Sequence, residues 1–117
     1  MPRKLPKGHA SRNALVRRYK YSAKRRNLEF DLSLGDCEKL FGNVCYYCGS
    51  NPQQIITQKN YNGYFEYNGI DRVNNAKGYT VENVVTCCVK CNSMKRDMVL
   101  HEFLKHVEKI SNYRMEA

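Results

Sequence analysis

Apolar residues recur at Leu15, Val16, Tyr19 and Ala23, the three- and four-residue spacing of one helix face, and Ser11 stands ahead of them as a capping residue. The pattern predicts a helix from Ser11 to about Asn27. Before it, "MPRKLPKGHA" carries two prolines, a glycine and several basic residues and reads as a mobile tail. A second, short helix is signalled by Ser33 with Asp36 three residues on, a capping-box arrangement ahead of Cys37, Leu40 and Phe41, with Gly42 as its stop. "NPQQIITQKNYNGYFEYNG" is polar and contains glycine; "YNGY" reads as a turn between two short extended pieces, and the length argues for surface structure. In "VLHEFLKHVEKI", Leu100, Phe103, Leu104, Val107 and Ile110 fall on one face of an amphipathic helix.

Composition changes this picture in two ways. A chain of 117 residues and 13.7 kDa fits one domain with a modest core, and such chains often need a staple. There are six cysteines, without a charged-then-apolar leader at Met1 and without an apolar run long enough to span a bilayer. That combination reads as reduced thiols in an intracellular, cytoplasmic setting (host-cell cytoplasm for a viral chain), with metal as the staple. The charge is uneven as well: 20 Lys plus Arg stand against 11 Asp plus Glu, a net +9, and residues 1–28 contain no acidic side chain. A helix that keeps one sign of charge is a footprint for polyphosphate, which nominates Arg12, Arg17, Arg18, Lys20, Lys24, Arg25 and Arg26 as nucleic-acid contacts. Tyr19 and Tyr21 between them can add stacking. The bland alternative is a solvated basic arm; a membrane surface fits less well, because the wide apolar face of an interfacial helix is missing.

Metal chemistry is the strongest signal. Cys45 with Cys48, and Cys88 with Cys91, each form C-x-x-C, a spacing that lets both thiolates of a pair reach one ion and the two pairs close a tetrahedron. Four thiolates leave no open position, so the expected zinc is structural. Two coincidental pairs or a redox pair is the competing reading. Cys37 reads as a small buried apolar residue, while Cys87 is an alternative to Cys88 that would break the chelate.

"CYYCG" followed by "GIDRVNNAKGYTVENVVTCCVKCNSMK" resembles the HNH endonuclease family, in particular its zinc-binding, phage-type members, over about residues 45–95. The resemblance implies an α+β, zinc-stapled ββα-metal (His-Me finger) fold: a β-hairpin and helix around one divalent cation, here flanked by basic N-terminal helices and the C-terminal amphipathic helix. It implies that Asp71 and Asn92 hold the catalytic cation, that Asn83 braces the hairpin loop, and that the activity is hydrolysis of DNA phosphodiesters. The expected organisation is a tail at 1–10 and a single domain at 11–117, made of a basic helical part (11–42), the zinc-bound core (45–98) and the last helix (99–113).

At Arg72 the chain departs from the family, which usually places there a histidine that activates water. A guanidinium stays protonated and cannot accept that proton. Read from the residues alone, an oxygen pair such as Asp71 and Asn92 suits Mg²⁺ or Mn²⁺, and Arg72 beside it suits a clamp on the scissile phosphate. Tyr67, Tyr79, His101 and His106 are the candidate bases, none preferred; both histidines fall on the polar side of their helix. Lys90, Lys95 and Arg96 flank the metal helix, and Lys95 and Arg96 are nominated as phosphate contacts, with a solvated face as the alternative. Asn74, Asn75 and Gly78 read as turn-formers, and Tyr79 and Val84 as core. Two functions are in view: a metal-dependent HNH endonuclease acting on DNA, or an inactive zinc-stabilised nucleic-acid-binding module whose partner is DNA or structured RNA.

Overall fold

Gly8, rather than Ser11, starts the first helix. The structure is a computed structural model that describes residues 5–116. In it α1 runs His9–Arg25, and Gly8 precedes it in a left-handed conformation with φ 87°. Ser11 lies inside the helix, fully buried, and its Oγ donates to the Gly63 carbonyl at 3.1 Å. The hydroxyl expected to cap the helix therefore ties α1 to a distant turn, where Gly8 N also donates to Asn62 O at 2.7 Å. Residues 1–4 of the expected tail lie outside the described residues, and His9 and Ala10 are helical. The helical period sends Ala14, Leu15, Val16 and Ala23 into the core, and leaves Arg17, Arg18, Lys20, Tyr21, Lys24 and Arg25 exposed.

After α1 the chain forms β1 (Phe30–Asp31) and then α2 (Leu34–Gly42). The capping box of α2 is present as its spacing predicted: Asp36 N donates to Ser33 Oγ at 3.0 Å, and Ser33 N to the Asp36 carboxylate at 2.9 Å. Cys37 and Phe41 on its inner face are wholly buried. β2 (Gln54–Ile56) and β3 (Phe65–Tyr67) pair antiparallel around the turn containing Gly63, with Ile56 opposite Phe65. Phe41 is the hub of the core, its ring centroid 5.9 Å from those of Tyr19, Phe65 and Tyr67; burying such a ring contributes roughly 1.5–3 kcal/mol.

The remaining elements build the site. β4 (Gly69–Arg72) pairs antiparallel with β6 (Val84–Cys87), setting Asp71 opposite Val85 and Arg72 opposite Val84. Between them lie β5 (Tyr79–Thr80), parallel to β1, and a 3₁₀ turn at Val81–Asn83. Gly78 ahead of β5 is required by close approach, since a Cβ there would meet Glu29 N at 2.7 Å and Glu29 Cα at 3.0 Å. α3 (Val89–Lys95) follows β6 directly, which completes a ββα unit.

α4 (Leu100–Glu116) forms where its periodicity predicted, yet only Phe103 is buried. Phe103 packs edge to face on Tyr47 with centroids 5.2 Å apart, while Leu104, Val107 and Ile110 remain 38–49% exposed. Spacing established the stripe, but the rest of the protein buries Phe103 alone of it, while Leu104 and Val107 border a groove shared with Tyr47 and Met94. Among the described residues, no helix is long and apolar enough to cross a membrane.

Candidate functional site

The two cysteine pairs arrive from different local structures. Cys45 and Cys48 flank a tight knuckle in which Gly49 N donates to Cys45 O at 2.9 Å with Gly49 at φ 77°. Cys88 caps α3, its sulfur accepting from Cys91 N at 3.4 Å. Tyr46 N, donating to Thr86 O at 2.8 Å, holds the knuckle against β6. All four Sγ atoms lie within 4.8 Å of one another, and those of Cys48 and Cys88 are 3.7 Å apart. Bonds of about 2.3 Å in a tetrahedron require sulfurs roughly 3.7–3.8 Å apart, so the set can hold a metal such as zinc. Cys87 is not part of it: buried, it points its thiol at Cys88 O, and burial pushes its pKa up. Within the cluster, the Ser50 hydroxyl and backbone N–H lower the Cys48 thiol to about 6, whereas burial raises that of Cys91.

Asp71 sits on β4, 4% exposed, with both of its oxygens engaged. The Tyr47 hydroxyl donates to Oδ2 at 2.7 Å, and Lys95 Nζ lies 3.2 Å from Oδ2 and 3.3 Å from Oδ1. Lys95 also donates to Arg72 O at 3.1 Å and has no solvent exposure at all. This corrects the expectation that Lys95 meets phosphate. The cysteine cluster presses α3 onto β4, and one turn after Cys91 the helix aims Lys95 inward instead of at solvent. Burial, then the Asp71 carboxylate, raise the Tyr47 phenol well above its ordinary range. Sequence reasoning passed over Tyr47; its place between the two cysteines of a tight knuckle, where the backbone has little freedom, was the available signal.

In front of Asp71 opens a cleft of about 380 Å³, lined by Arg18 of α1, Arg26 just past that helix, Arg72 of β4, Arg96 just past α3, and Asn92. Arg72 is anchored: its Nη1 donates to Asn75 O at 2.6 Å and Lys77 O at 3.0 Å, and its guanidinium lies 5.5 Å from the Tyr79 ring centroid. Nε and Nη2 are not used in these bonds. Asn83, 6% exposed, accepts from Asn74 N at 3.0 Å and donates to Asn74 O at 3.0 Å and Gly78 O at 2.8 Å, closing the loop on which Arg72 leans. Tyr67 and Tyr79 line the cleft; His101 and His106 do not.

The other basic residues divide. Arg12 is engaged with Glu38 at 3.0 Å and with Asn13, joining α1 to α2, so it stands apart from the exposed stripe. Arg17 donates to Tyr61 OH at 3.2 Å, Lys20 lies over Phe30 and Arg25 over Tyr21. Lys24 is exposed, and Arg26 donates to Tyr79 OH at 3.0 Å from the rim of the cleft.

These elements define an HNH-like ββα-metal fold, α+β in class, carrying a four-cysteine cluster that can hold zinc. The structure is similar to that of the rare-cutting HNH restriction endonuclease PacI, with a TM-score of 0.62 over 87% of this chain and 78% of that one, at 19% identity. In sequence, 96 residues, 82% of the chain, are 38% identical to an uncharacterized protein of Acanthamoeba polyphaga mimivirus. The chain spans 16% of that relative's length. No family model matches.

Proposed function

We propose that the protein is a metal-dependent HNH-type endonuclease hydrolysing phosphodiester bonds in DNA. The observation that carries this reading is a lone buried carboxylate, Asp71, lining a cleft whose other charged lining residues are four arginines and which Asn92 also lines. One carboxylate and one amide oxygen fit Mg²⁺ or Mn²⁺, which bind through few protein oxygens and complete their shell with water and substrate phosphate. Such a cation supplies Lewis acidity toward phosphoryl oxygen and lowers the pKa of water.

The side chains divide the remaining work. Tyr47 and Lys95 fix the direction of Asp71, and Asn83 fixes the loop under Arg72. Arg72, held at Nη1, presents its other N–H groups to the scissile phosphate and offsets the charge that grows as water attacks phosphorus and the bond to the leaving oxygen breaks. Arg18, Arg26 and Arg96 take flanking phosphates, and the exposed face of α1 adds sequence-independent affinity. In this reading residues 11–117 act as one unit, and zinc on Cys45, Cys48, Cys88 and Cys91 keeps α3 on β4.

One observation favours the second reading, a zinc-stabilised module that binds DNA or structured RNA without cutting: the Lys95 ammonium already neutralises Asp71. Plasmid nicking with Mg²⁺ or Mn²⁺ separates the two. Nicking that disappears in Asp71→Asn at unchanged zinc content supports the nuclease. Binding without nicking, under every divalent ion tried, leaves the module.

A further inference from the structure

The geometry points to a site that takes its divalent cation together with a phosphodiester and only weakly without one, because Lys95 is a resident counter-charge to Asp71. This rests on the nuclease reading above and concerns the order in which its two ligands bind.

Two independent features carry it. The first is the pair itself. Lys95 is inaccessible to solvent and lies within 3.3 Å of both Asp71 oxygens, and Tyr47 donates to one of them as well. Any cation that takes Asp71 as a ligand enters beside an ammonium that cannot swing away into water, and like charges at such distances repel strongly where solvent screening is poor. The carboxylate meanwhile loses nothing by staying as it is, since its charge is already matched. The second feature is the cleft in front of the pair. Arg18, Arg26, Arg72 and Arg96 line it, and Asp71 is the one acidic residue among its lining residues. Four positive groups against one negative make the cleft hostile to a bare divalent cation and welcoming to an anion. A phosphodiester seated among the arginines reverses this: it cancels the excess positive charge and offers the cation a further oxygen ligand. Cation and phosphate then favour each other's binding, and by linkage the favour is the same in both directions.

The resulting behaviour is a safeguard. Without nucleic acid in the cleft, Asp71 stays paired to Lys95 and the cation site stays weak. Lys95 is thus a positioning residue that sets when the site is assembled; it need not touch the reacting atoms.

The test measures Mn²⁺ binding by the electron paramagnetic resonance signal of the free ion, with zinc content unchanged. Zinc-loaded full chain is compared with and without a short phosphorothioate-substituted duplex, and the duplex's own Mn²⁺ uptake is subtracted using the Asp71→Asn protein. We expect the duplex to tighten Mn²⁺ binding about tenfold or more, within the roughly 5–150-fold span of such couplings. Duplex affinity should rise by the same factor when Mn²⁺ is added. In Lys95→Met the free protein should bind Mn²⁺ more tightly, and the effect of the duplex should shrink. Should that variant fail to fold, the two reciprocal wild-type measurements decide alone. Equal Mn²⁺ affinity with and without duplex overturns the inference and leaves the nuclease reading standing. No Asp71-dependent Mn²⁺ in either condition removes the cation from the proposed function, and the inference falls with it.

Discussion

The Tyr47 hydroxyl donates to Asp71 at 2.7 Å, and so a residue inside the Cys45/Cys48 knuckle holds the carboxylate that borders the arginine-lined cleft. Tyr47 is fixed in turn from its other side by the Phe103 ring of α4. Removing only the oxygen tests this link. Tyr47→Phe should keep zinc and the fold, lose about 1–3 kcal/mol of stability as a hydrogen bond to a buried charge disappears, and lower nicking through kcat with little change in KM. A denaturant titration and steady-state kinetics read the two effects.

If the four-cysteine cluster holds the proposed zinc, removing it should act on the whole molecule. Replacing Cys45, Cys48, Cys88 or Cys91 by serine, or adding a strong chelator, should unfold the protein cooperatively. A structural zinc site contributes on the order of 10 kcal/mol at neutral pH, as much as a small domain's entire margin. Cys37→Ser and Cys87→Ser should leave zinc in place. Mass spectrometry under native conditions gives the metal content, and a folded wild-type protein without zinc would defeat this reading of the cluster.

The basic face of α1 can be neutralised without touching the core. Arg17, Arg18, Lys24 and Arg25 are exposed, whereas Leu15, Val16 and Ala23 on the same helix are buried, so deleting the helix would destroy the fold along with the charge. Changing the four to glutamine should alter stability by no more than about 0.5 kcal/mol. The slope of log affinity for duplex against log salt should become shallower by about 0.9 for each phosphate that is no longer neutralised. An unchanged slope would place α1 outside the interface.

Arg72→Ala should lower cleavage by roughly a hundredfold or more, the scale of losing one charge-stabilising donor, with zinc content unchanged. Arg72→His discriminates further. If the arginine is a clamp tied to Asn75 O and Lys77 O, the shorter imidazole gives up both the anchor and the reach to phosphate, and activity stays equal or falls. A rise in activity would show instead that the site lacks a base which histidine, with a pKa near 6.5, restores.

Alkaline titration reports the buried phenols. Burial raises Tyr19 to about 12, against a backbone hydrogen bond from Ile70 that lowers it, and Tyr47 is raised as well. Because the folded value lies above the unfolded one, the stabilising contribution is complete below about pH 10 and is lost as pH rises through about 12. Tyr19 and Tyr47 should therefore ionise later in the folded protein than in denaturant, and the unfolding midpoint should drop over the same range. Ultraviolet difference spectra at graded pH show both.

What the sequence determined by itself was whatever depends on neighbours along the chain. The Ser33–Asp36 capping box, the turn through Gly63, the helical stripe of α4 and the two C-x-x-C pairs are set by spacings of two to four residues, and all are present in the structure. Tertiary structure decided which of several equally polar or charged groups ended up facing which. Ser11 had the credentials of a cap, but a distant turn offered its hydroxyl a buried acceptor, and Gly8 took the helix start. Lys95 read as a phosphate contact or a solvated lysine, but the cysteine cluster turned α3 so that its ammonium met Asp71. Tyr47 was one of the two unspecified positions of a C-x-x-C, and the cleft's four arginines come from α1, the residue after it, β4 and the residue after α3, up to 78 positions apart from Arg18 to Arg96. Periodicity reports which face a residue shares with its neighbours in the chain; what that face packs against is set only when the elements close on one another.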